Sequence, residues 1–307
     1  FNQHDQRLGI TGSFQARPAD GTLITLDLLY AKLHADRDER SIQALGMSRN
    51  LAARGKPHTT IRAFTVDSDK NLLTATLDNI DVRTQSRVLD QGTEFKQGTL
   101  SIKQDFSDSF RMSGLIGRAE SDFQTKIDTT ITFDHADAQN YQLDFSQNDR
   151  TPNITYDFDP TLPASYAANT GTSEVRLRPG FNKTKFDTIK LDAEYDLLDG
   201  LTLKVGGDDR KARFDSKEFR RVDETVIVPL TPQQIADFSR MTTGFGRGLN
   251  LPGGVATSWL SPDIAKYAAA QGVYSGSGIY AISSEGNSSA RGNTITVEEH
   301  NQAAFGM

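Results

Sequence analysis

Residues 183–214, KTKFDTIKLDAEYDLLDGLTLKVGGDDRKARF, carry the clearest structural pattern in the chain. From 189 to 197 apolar side chains alternate strictly with charged ones, which is the two-residue period of a β-strand with one apolar face. Leu-Asp-Gly at 198–200 has the composition of a tight turn, and the alternation resumes at Leu201. The stretch therefore predicts a β-hairpin with one long apolar face and one long charged face.

A three-residue loop determines how the two strands pair. It predicts three apolar pairs and two pairs of opposite charge: Leu197–Leu201, Tyr195–Leu203, Ala193–Val205, Glu194–Lys204 and Lys190–Asp208. Opposite charges on neighbouring strands attract each other. A slip of one residue would set apolar side chains against polar ones, so the pattern specifies one register.

The same alternation recurs along the chain. It predicts seven long strands, at about 7–17, 22–33, 93–105, 110–121, 184–197, 201–214 and 294–305. In the first hairpin the predicted register sets Phe14 opposite Ile24, and in the second it sets Asp105 opposite Arg111. The fold class is therefore all-β, with antiparallel hairpins.

Three long segments separate these strands, at about 34–91, 123–182 and 215–291. The first holds a basic patch (Arg49, Arg54, Lys56) and two weaker alternating pieces. The second could form a small hairpin between Ile131–Phe133 and Tyr141–Phe145. The third carries two short helix signals, Thr231-Pro232-Gln233-Gln234 and Ser261-Pro262-Asp263 followed by a stop at Gly272.

The composition excludes several function classes. The chain has 307 residues, a formal charge of −6 and no cysteine, and its mean hydropathy is −0.50. The negative charge argues against a nucleic-acid surface, and the absence of cysteine excludes disulfides and thiol catalysis. The apolar runs are too short for a transmembrane helix, and the sequence shows no signal peptide.

No pattern of catalytic residues is present. The five histidines are scattered, and the sequence contains neither HExxH nor GxSxG. The glycine-rich run at 244–248 lacks the spacing of a nucleotide site and is predicted to be a flexible loop. We therefore expect no enzyme activity, no catalytic residue, no cofactor and no metal site.

The asymmetry of the connections indicates an outer-membrane barrel. Strands in soluble sheets average about 5–6 residues, whereas membrane-spanning strands need about 9–11. Tight turns on one side and long loops on the other are typical of bacterial outer-membrane barrels. We predict one lipid-facing band formed by Ile10, Phe14, Ile24, Leu26, Leu28, Leu100, Ile102, Leu191, Tyr195, Leu203 and Val205. Because seven strands leave an open edge, which lipid does not tolerate, residues 1–307 are predicted to be one barrel segment of a larger chain.

Four segments carry a resemblance to a known family: RLGITGSFQARPADGTLITLDLLYAKL (7–33), SDSFRMSGLIGRAESDF (107–123), GFGRGLNLPGG (244–254) and TSWLSPDIAKYAAAQGVY (257–274). They resemble the TonB-dependent outer-membrane receptors, in particular the large receptors associated with carbohydrate uptake in Gram-negative bacteria. The resemblance implies a 22-stranded barrel in the cell outer membrane, plugged by an N-terminal domain. Its implied partners are membrane lipid, the TonB complex and a solute such as an oligosaccharide.

The sequence departs from this family in three respects. It has no plug-like N-terminal region and no TonB box, and it ends Phe305-Gly306-Met307 rather than on an aromatic residue. The resemblance therefore points to the middle of a barrel, and it assigns energy coupling to no residue in this chain.

Aromatic side chains in the third loop are the predicted ligand contacts. Phe245, Trp259, Tyr274 and Tyr280 lie among Gly, Ser and Asn, and flat rings beside amides suit sugars. The alternative is that these residues, together with Tyr267, pack the two short helices onto the barrel rim.

Other functions remain open at this point. A siderophore receptor is one, because a basic cluster that could bind an anion precedes the third loop: Arg210, Lys211, Arg213, Lys217, Arg220 and Arg221. A passive porin is another. A soluble or secreted β-rich carbohydrate-binding or adhesin module is the alternative from a different class. A requirement for detergent would separate the membrane proteins from that module, and a plug domain would separate a receptor from a porin.

Overall fold

The computed structural model describes residues 1–45, 47 and 58–307. The basic patch of Arg49, Arg54 and Lys56 lies outside the described residues. The protein is all-β, with 61% of residues in strands and 8% in helices.

The strands are β1 Asn2–Ala16, β2 Thr22–Leu45, β3 Thr60–Val66, β4 Leu72–Asp78, β5 Ile80–Asp105, β6 Phe110–Ala138, β7 Tyr141–Asp144, β8 Asn153–Thr155, β9 Val175–Leu177, β10 Gly180–Leu198, β11 Leu201–Glu218, β12 Arg220–Arg221, β13 Ser239–Thr242, β14 Trp259–Pro262, β15 Ile282–Ser283 and β16 Ile295–Gly306. The helices are α1 Pro232–Asp237, α2 Ile264–Gln271 and α3 Ser288–Gly292, with 3-10 turns at Pro163–Ser165 and Gly278–Tyr280.

Seven long strands form the main sheet, in the order β1-β2-β5-β6-β10-β11-β16, and every neighbouring pair is antiparallel. Short turns connect β1 to β2, β5 to β6, and β10 to β11. We call this side of the sheet the turn end. The long connections all leave from the opposite side, the loop end, where β9 extends the sheet beside β6.

The strands continue well beyond their predicted bounds. β2 runs to Leu45 and pairs with β5 along its whole length, to Leu45 opposite Asp81, and β6 runs to Ala138. The predicted loops at 34–91, 123–182 and 215–291 were therefore too long. Both faces of the extensions carry polar residues, so the backbone ladder continues where the apolar alternation has ended.

Two of the three predicted hairpin registers agree with the structure over most of their length. Tyr195 lies opposite Leu203, and Leu100 lies opposite Ile116. At the tip of the β10–β11 hairpin, however, an irregularity sets Leu198 rather than Leu197 opposite Leu201.

In the first hairpin the prediction was wrong by two residues. Phe14 pairs with Leu26, not with Ile24, because Ala16 pairs with Ile24 and the paired residues are separated by residues 17–23 rather than 17–21. A shift of two residues keeps every side chain on its face.

Two irregularities interrupt the pairing of β5 with β6, one near Ile80 at the end of the ladder and one, a bulge, in its middle. Gln91 pairs with Thr125 while Asp90 pairs with Ile127, so Lys126 is an extra residue on β6. Between the turn end and the bulge, the odd-numbered residues of β6 point to one face of the sheet. Between the bulge and the loop end, the even-numbered residues point to that face.

The two faces of the main sheet differ at the turn end. One face, which we call the front face, carries an apolar band in which each large side chain is 44–66% exposed: Ile10, Phe14, Leu28, Leu100, Ile102, Ile116, Ile189, Leu191, Tyr195, Leu203 and Val205. The eleven residues predicted to share a face all lie on the front face, including Ile24 and Leu26. At the same level the opposite face, the back face, is polar.

Ion pairs on the back face differ from those predicted. Lys204 contacts Glu194 at 2.9 Å, as expected. Arg111 lies opposite Asp105 but contacts Glu194 at 3.1 Å and Asp196 at 3.0 Å instead. The two carboxylates of β10 outcompete Asp105 because they flank the guanidinium from the neighbouring strand.

Two apolar cores cover the front face at the loop end. The first joins Ile131 and Phe133 of β6 to α1, β14 and α2, and the second joins Val82 of β5 to β4 and β7. We call the segment 219–294 that builds the first core the front lobe. β7 pairs with β4 and not with β6, so the predicted hairpin of Ile131–Phe133 with Tyr141–Phe145 was wrong.

Both predicted helices are confirmed. Thr231 and Gln234 form a capping box on α1, and α2 begins after its cap Asp263 and ends at Gly272. Within the described ranges, no helix has the length and apolarity needed to cross a membrane.

Arg221 lies at the centre of the front lobe and is fully buried. Its guanidinium donates to the carbonyls of Ile279 at 2.6 Å and Val175 at 2.7 Å, and also to that of Val226. The ring of Tyr280 lies 4.9 Å from the guanidinium carbon. Burial lowers the pKa of Arg221, because the charged guanidinium is removed from water. Backbone carbonyls accept its hydrogen bonds in place of the carboxylate that usually accompanies a buried arginine.

Candidate functional site

A row of phenylalanines crosses the back face just above the level of the apolar band. β5, β6, β10 and β11 contribute one each: Phe95, Phe123, Phe186 and Phe214. Phe95 and Phe214 lie in one cross-strand row, because Phe95 pairs with Ser121, Ser121 with Thr184 and Thr184 with Phe214. The four rings are partly exposed and are separated by short hydroxyl and amide side chains.

A chamber of about 430 Å³ opens above this row on the same face. Its walls include Phe123, Gln91 and Asn182, together with charged side chains from β5, β6, β11 and the segment before β10. We call the phenylalanine row and this chamber together the back-face site.

The charged side chains that line the chamber, apart from Lys217, are paired. Arg87 binds Asp128 with two contacts of 2.8 Å, and Arg178 binds Glu224 with contacts of 2.8 and 2.6 Å. These hydrogen bonds raise the pKa of both guanidinium groups. The pairs therefore stay ionised and present fixed donors and acceptors with little net charge.

The basic cluster at 210–221 is also neutralised or dispersed. Arg210 contacts Asp208, and Arg213 contacts Asp215 at 2.7 Å and Glu298 at 2.6 Å. Arg220 is paired with Glu218, and Arg221 is buried. Lys217 lies over the ring of Phe219. Lys211 and Arg213 are odd-numbered on β11, like Leu203 and Val205, so both lie on the front face. The described part of the back face therefore offers no concentration of free positive charge to an anionic chelate.

The four aromatic residues predicted to bind ligand do not form one site. Trp259 and Tyr280 are only 3% and 4% exposed. Tyr274 is 57% exposed, and its hydroxyl donates to Thr129 Oγ1 at 3.0 Å. Only Phe245 and Trp259 meet, edge to face at 5.4 Å. Tyr267 is fully buried in α2, so packing is the role of Tyr267 and Tyr280.

Phe245 and Trp259 line a second cavity, of about 610 Å³, between the front lobe and β2. Asp38, Arg40 and Arg247 also line it, and we call it the front cavity. Gly246 shapes its rim: its φ is +72°, and a Cβ there would lie 2.0 Å from Leu251 Cδ1. The glycine-rich run is therefore a defined turn in which the Arg247 amide donates to the Gly244 carbonyl.

Asp38 joins the front lobe to the main sheet. Arg40 and Arg240 each donate to its carboxylate at 2.7 Å. Burial alone would raise the pKa of Asp38, but these hydrogen bonds outweigh it and hold the pKa below the usual 3.8.

Acidification is expected to release this contact. A lowered folded-state pKa means that the contribution of Asp38 is complete above pH 3.8 and is lost as the pH falls through the lowered pKa. Trp259 emission should therefore change in an acid transition below pH 3.8, and the Asp38→Asn variant should lack that component. A transition of equal size in both proteins would show that Asp38 does not hold the lobe.

One group of possible metal ligands lies on the front face of the described residues. Atoms of His34, Asp36 and Asp90 all lie within 4.8 Å of one another. His34 Nε2 is 3.2 Å from Asp36, and His34 Nδ1 is 3.6 Å from Asp90. The histidine lies between two carboxylates that face each other across the ladder, which is the arrangement of a surface ion-pair cluster.

No protein-family model matches this chain, and neither the curated proteins nor the solved structures contain a significant match to it. The sequence analysis did not identify the back-face site. Its one available signal was that Phe95, Phe186 and Phe214 fall on the otherwise polar side of predicted strands.

Proposed function

We propose that this chain is part of an outer-membrane β-barrel that takes up an oligosaccharide by TonB-dependent active transport. The observation that carries the proposal is the apolar band: large side chains stay exposed on one face of long strands whose other face is polar. Lipid is the solvent that favours this arrangement. The free edges, β1 and β16, would pair with further strands of a closed barrel of 22 strands, as the family resemblance implies.

The height of the apolar band supports an orientation in which the front face contacts lipid. On β10 it runs from Ile189 to Leu197. At about 3.3 Å per residue and a tilt of about 40°, this length spans roughly 23 Å, close to the apolar height of about 25 Å in outer-membrane barrels. The cores that cover the front face begin above it, at Ile131 and Val82. In this orientation the back face lines the lumen.

The back-face site supports a neutral polyhydroxylated solute. Exposed phenyl rings can stack on sugar rings, and the paired charges and amides of the chamber can exchange hydrogen bonds with hydroxyl groups. An anionic iron chelate would meet guanidinium groups that already have carboxylate partners. The TonB complex enters this proposal through the family resemblance and would act through parts outside this chain.

Transport by the full-length protein tests the proposal. We expect cells to accumulate a neutral oligosaccharide only while the TonB complex is intact, and to accumulate no ferric chelate through this protein. Uptake that persists without the TonB complex would indicate a passive porin. A protein that remains soluble and monodisperse without detergent would indicate the soluble binding module instead.

Phe123 should contribute directly to solute binding. Removing its ring in Phe123→Ala is expected to weaken oligosaccharide binding by roughly three- to tenfold, the loss expected for one stacking aromatic. Phe64→Ala removes a ring that is 62% exposed on β3, in the separate sheet of β3, β4, β7 and β8, and should leave the affinity unchanged. Equal effects of the two variants, measured by titration of the full-length protein in detergent, would contradict the assignment of the back-face site.

A further inference from the structure

The front cavity has an excess of positive charge that its own residues do not neutralise. Two guanidinium groups, from Arg40 and Arg240, contact the single carboxylate of Asp38, and the Arg247 side chain lines the same cavity. In the described ranges Arg40 and Arg240 form ion pairs with Asp38 alone, and Arg247 forms none. The back-face site, by contrast, pairs its arginines with carboxylates one to one.

Buried donors without acceptors accompany this charge. The Nε atoms of Arg40 and Arg240 and the indole Nε1 of Trp259 are buried and have no hydrogen-bond partner among the described residues. Trp259 is only 3% exposed, yet it lines the cavity. Buried polar groups in folded proteins are nearly always hydrogen-bonded. The unmatched donors of Arg40 and Trp259, two residues that line the cavity, therefore indicate a ligand that brings acceptors.

The cavity also has a flat apolar wall. Phe245 is 49% exposed and meets Trp259 edge to face at 5.4 Å. Gly246 forms the turn beside this wall. Its positive φ and the closeness of Leu251 exclude a larger residue at this position. An exposed ring beside guanidinium groups suits a ligand with both a ring-shaped apolar face and an anionic group.

We propose that the front cavity binds a carboxylate-bearing sugar, a uronic acid residue of an acidic oligosaccharide. Its ring would lie against Phe245, and its carboxylate would accept hydrogen bonds from Arg247 and Arg40. This proposal rests on the proposed function in one respect, since it gives an uptake receptor a capture site for acidic chains outside the back-face site. The binding itself does not depend on transport.

Equilibrium binding to the full-length protein in detergent tests the proposal. The probes are a hexamer of galacturonic acid and a hexamer of galactose, which differ in the carboxylate at C6. We expect the acidic hexamer to bind at least about tenfold more tightly, as charge-assisted hydrogen bonds allow, and the difference to shrink in high salt. Equal affinity for the two hexamers would overturn the proposal.

Matched variants locate the site. Arg247→Gln should lower the affinity for the acidic hexamer by about tenfold and leave that for the neutral hexamer unchanged. Phe245→Leu should weaken both. Arg291→Gln removes an exposed guanidinium from α3 in the same lobe and should change neither. If Arg247→Gln behaves like Arg291→Gln, the cavity is not the site.

The proposed function and this inference fail separately. Loss of TonB-dependent uptake with retained binding of the acidic hexamer would remove the transport function and leave the cavity assignment. TonB-dependent uptake of neutral chains, without selective binding of the acidic hexamer, would leave the transport function and remove the cavity assignment.

Discussion

Replacing Arg221 with leucine is expected to unfold the front lobe under conditions in which the main sheet persists. The substitution removes the donor from at least three carbonyls, of Ile279, Val175 and Val226. A buried acceptor without a donor costs about 1–3 kcal/mol, and the relief of burying a charge offsets part of the sum. We expect a net destabilisation of about 3 kcal/mol, near the upper end for single substitutions.

Trp259 reports this change directly. It is the one tryptophan of the sequence, is 3% exposed, and precedes Leu260 of the first core on β14. Its emission should shift to longer wavelength at a lower urea concentration in Arg221→Leu. Arg213→Leu removes an exposed arginine from β11 and should leave the midpoint unchanged. If both variants unfold at the wild-type midpoint, the carbonyl contacts of Arg221 do not hold the lobe together.

Introducing arginine at Leu100 is expected to prevent assembly into the outer membrane. Leu100 lies in the middle of the apolar band on β5. If the band faces lipid, a charged residue near the bilayer midplane costs about 2–4 kcal/mol. Folded protein in the outer-membrane fraction should fall, and urea unfolding in liposomes should begin at lower concentration.

The neighbouring residue provides the control. Thr99 lies on the back face, one residue away on the same strand. Thr99→Arg adds the same charge to the polar side and should assemble normally. If the two variants assemble equally well, or equally poorly, the front face is not distinguished by lipid and the barrel proposal is wrong.

The turn-end half of the fold could be predicted because its two faces contrast. Leu191 and Leu203 alternate with charged or small polar residues, and that contrast alone gave the strands and most of the pairing. Toward the loop end, Asp36 and Asp38 on the front face alternate with Arg37 and Glu39 on the back. Without contrast between the faces, a strand has the same pattern as a polar loop.

The back-face site depends on information that a sequence pattern does not contain. Phe123 and Asn182 face each other only because β6 pairs with β10. The connection between these strands passes through β7, β8 and β9, and its length gives no indication of where the chain returns. The predicted ligand contacts were scattered for a similar reason, since the sequence cannot show which loop aromatics become buried.

The bulge at Lys126 has a consequence for how this protein can change in evolution. Because Lys126 is an unpaired extra residue, a chain lacking it would still place Ile127, Ile131 and Phe133 on the front face. A deletion at another position of β6 before Ile131 would instead reverse the later side chains and move that core to the wrong side. The bulge thus separates the strand into two halves that can gain or lose length independently. The loop-bearing half could therefore diversify toward new ligands while the half at the turn end stays constant.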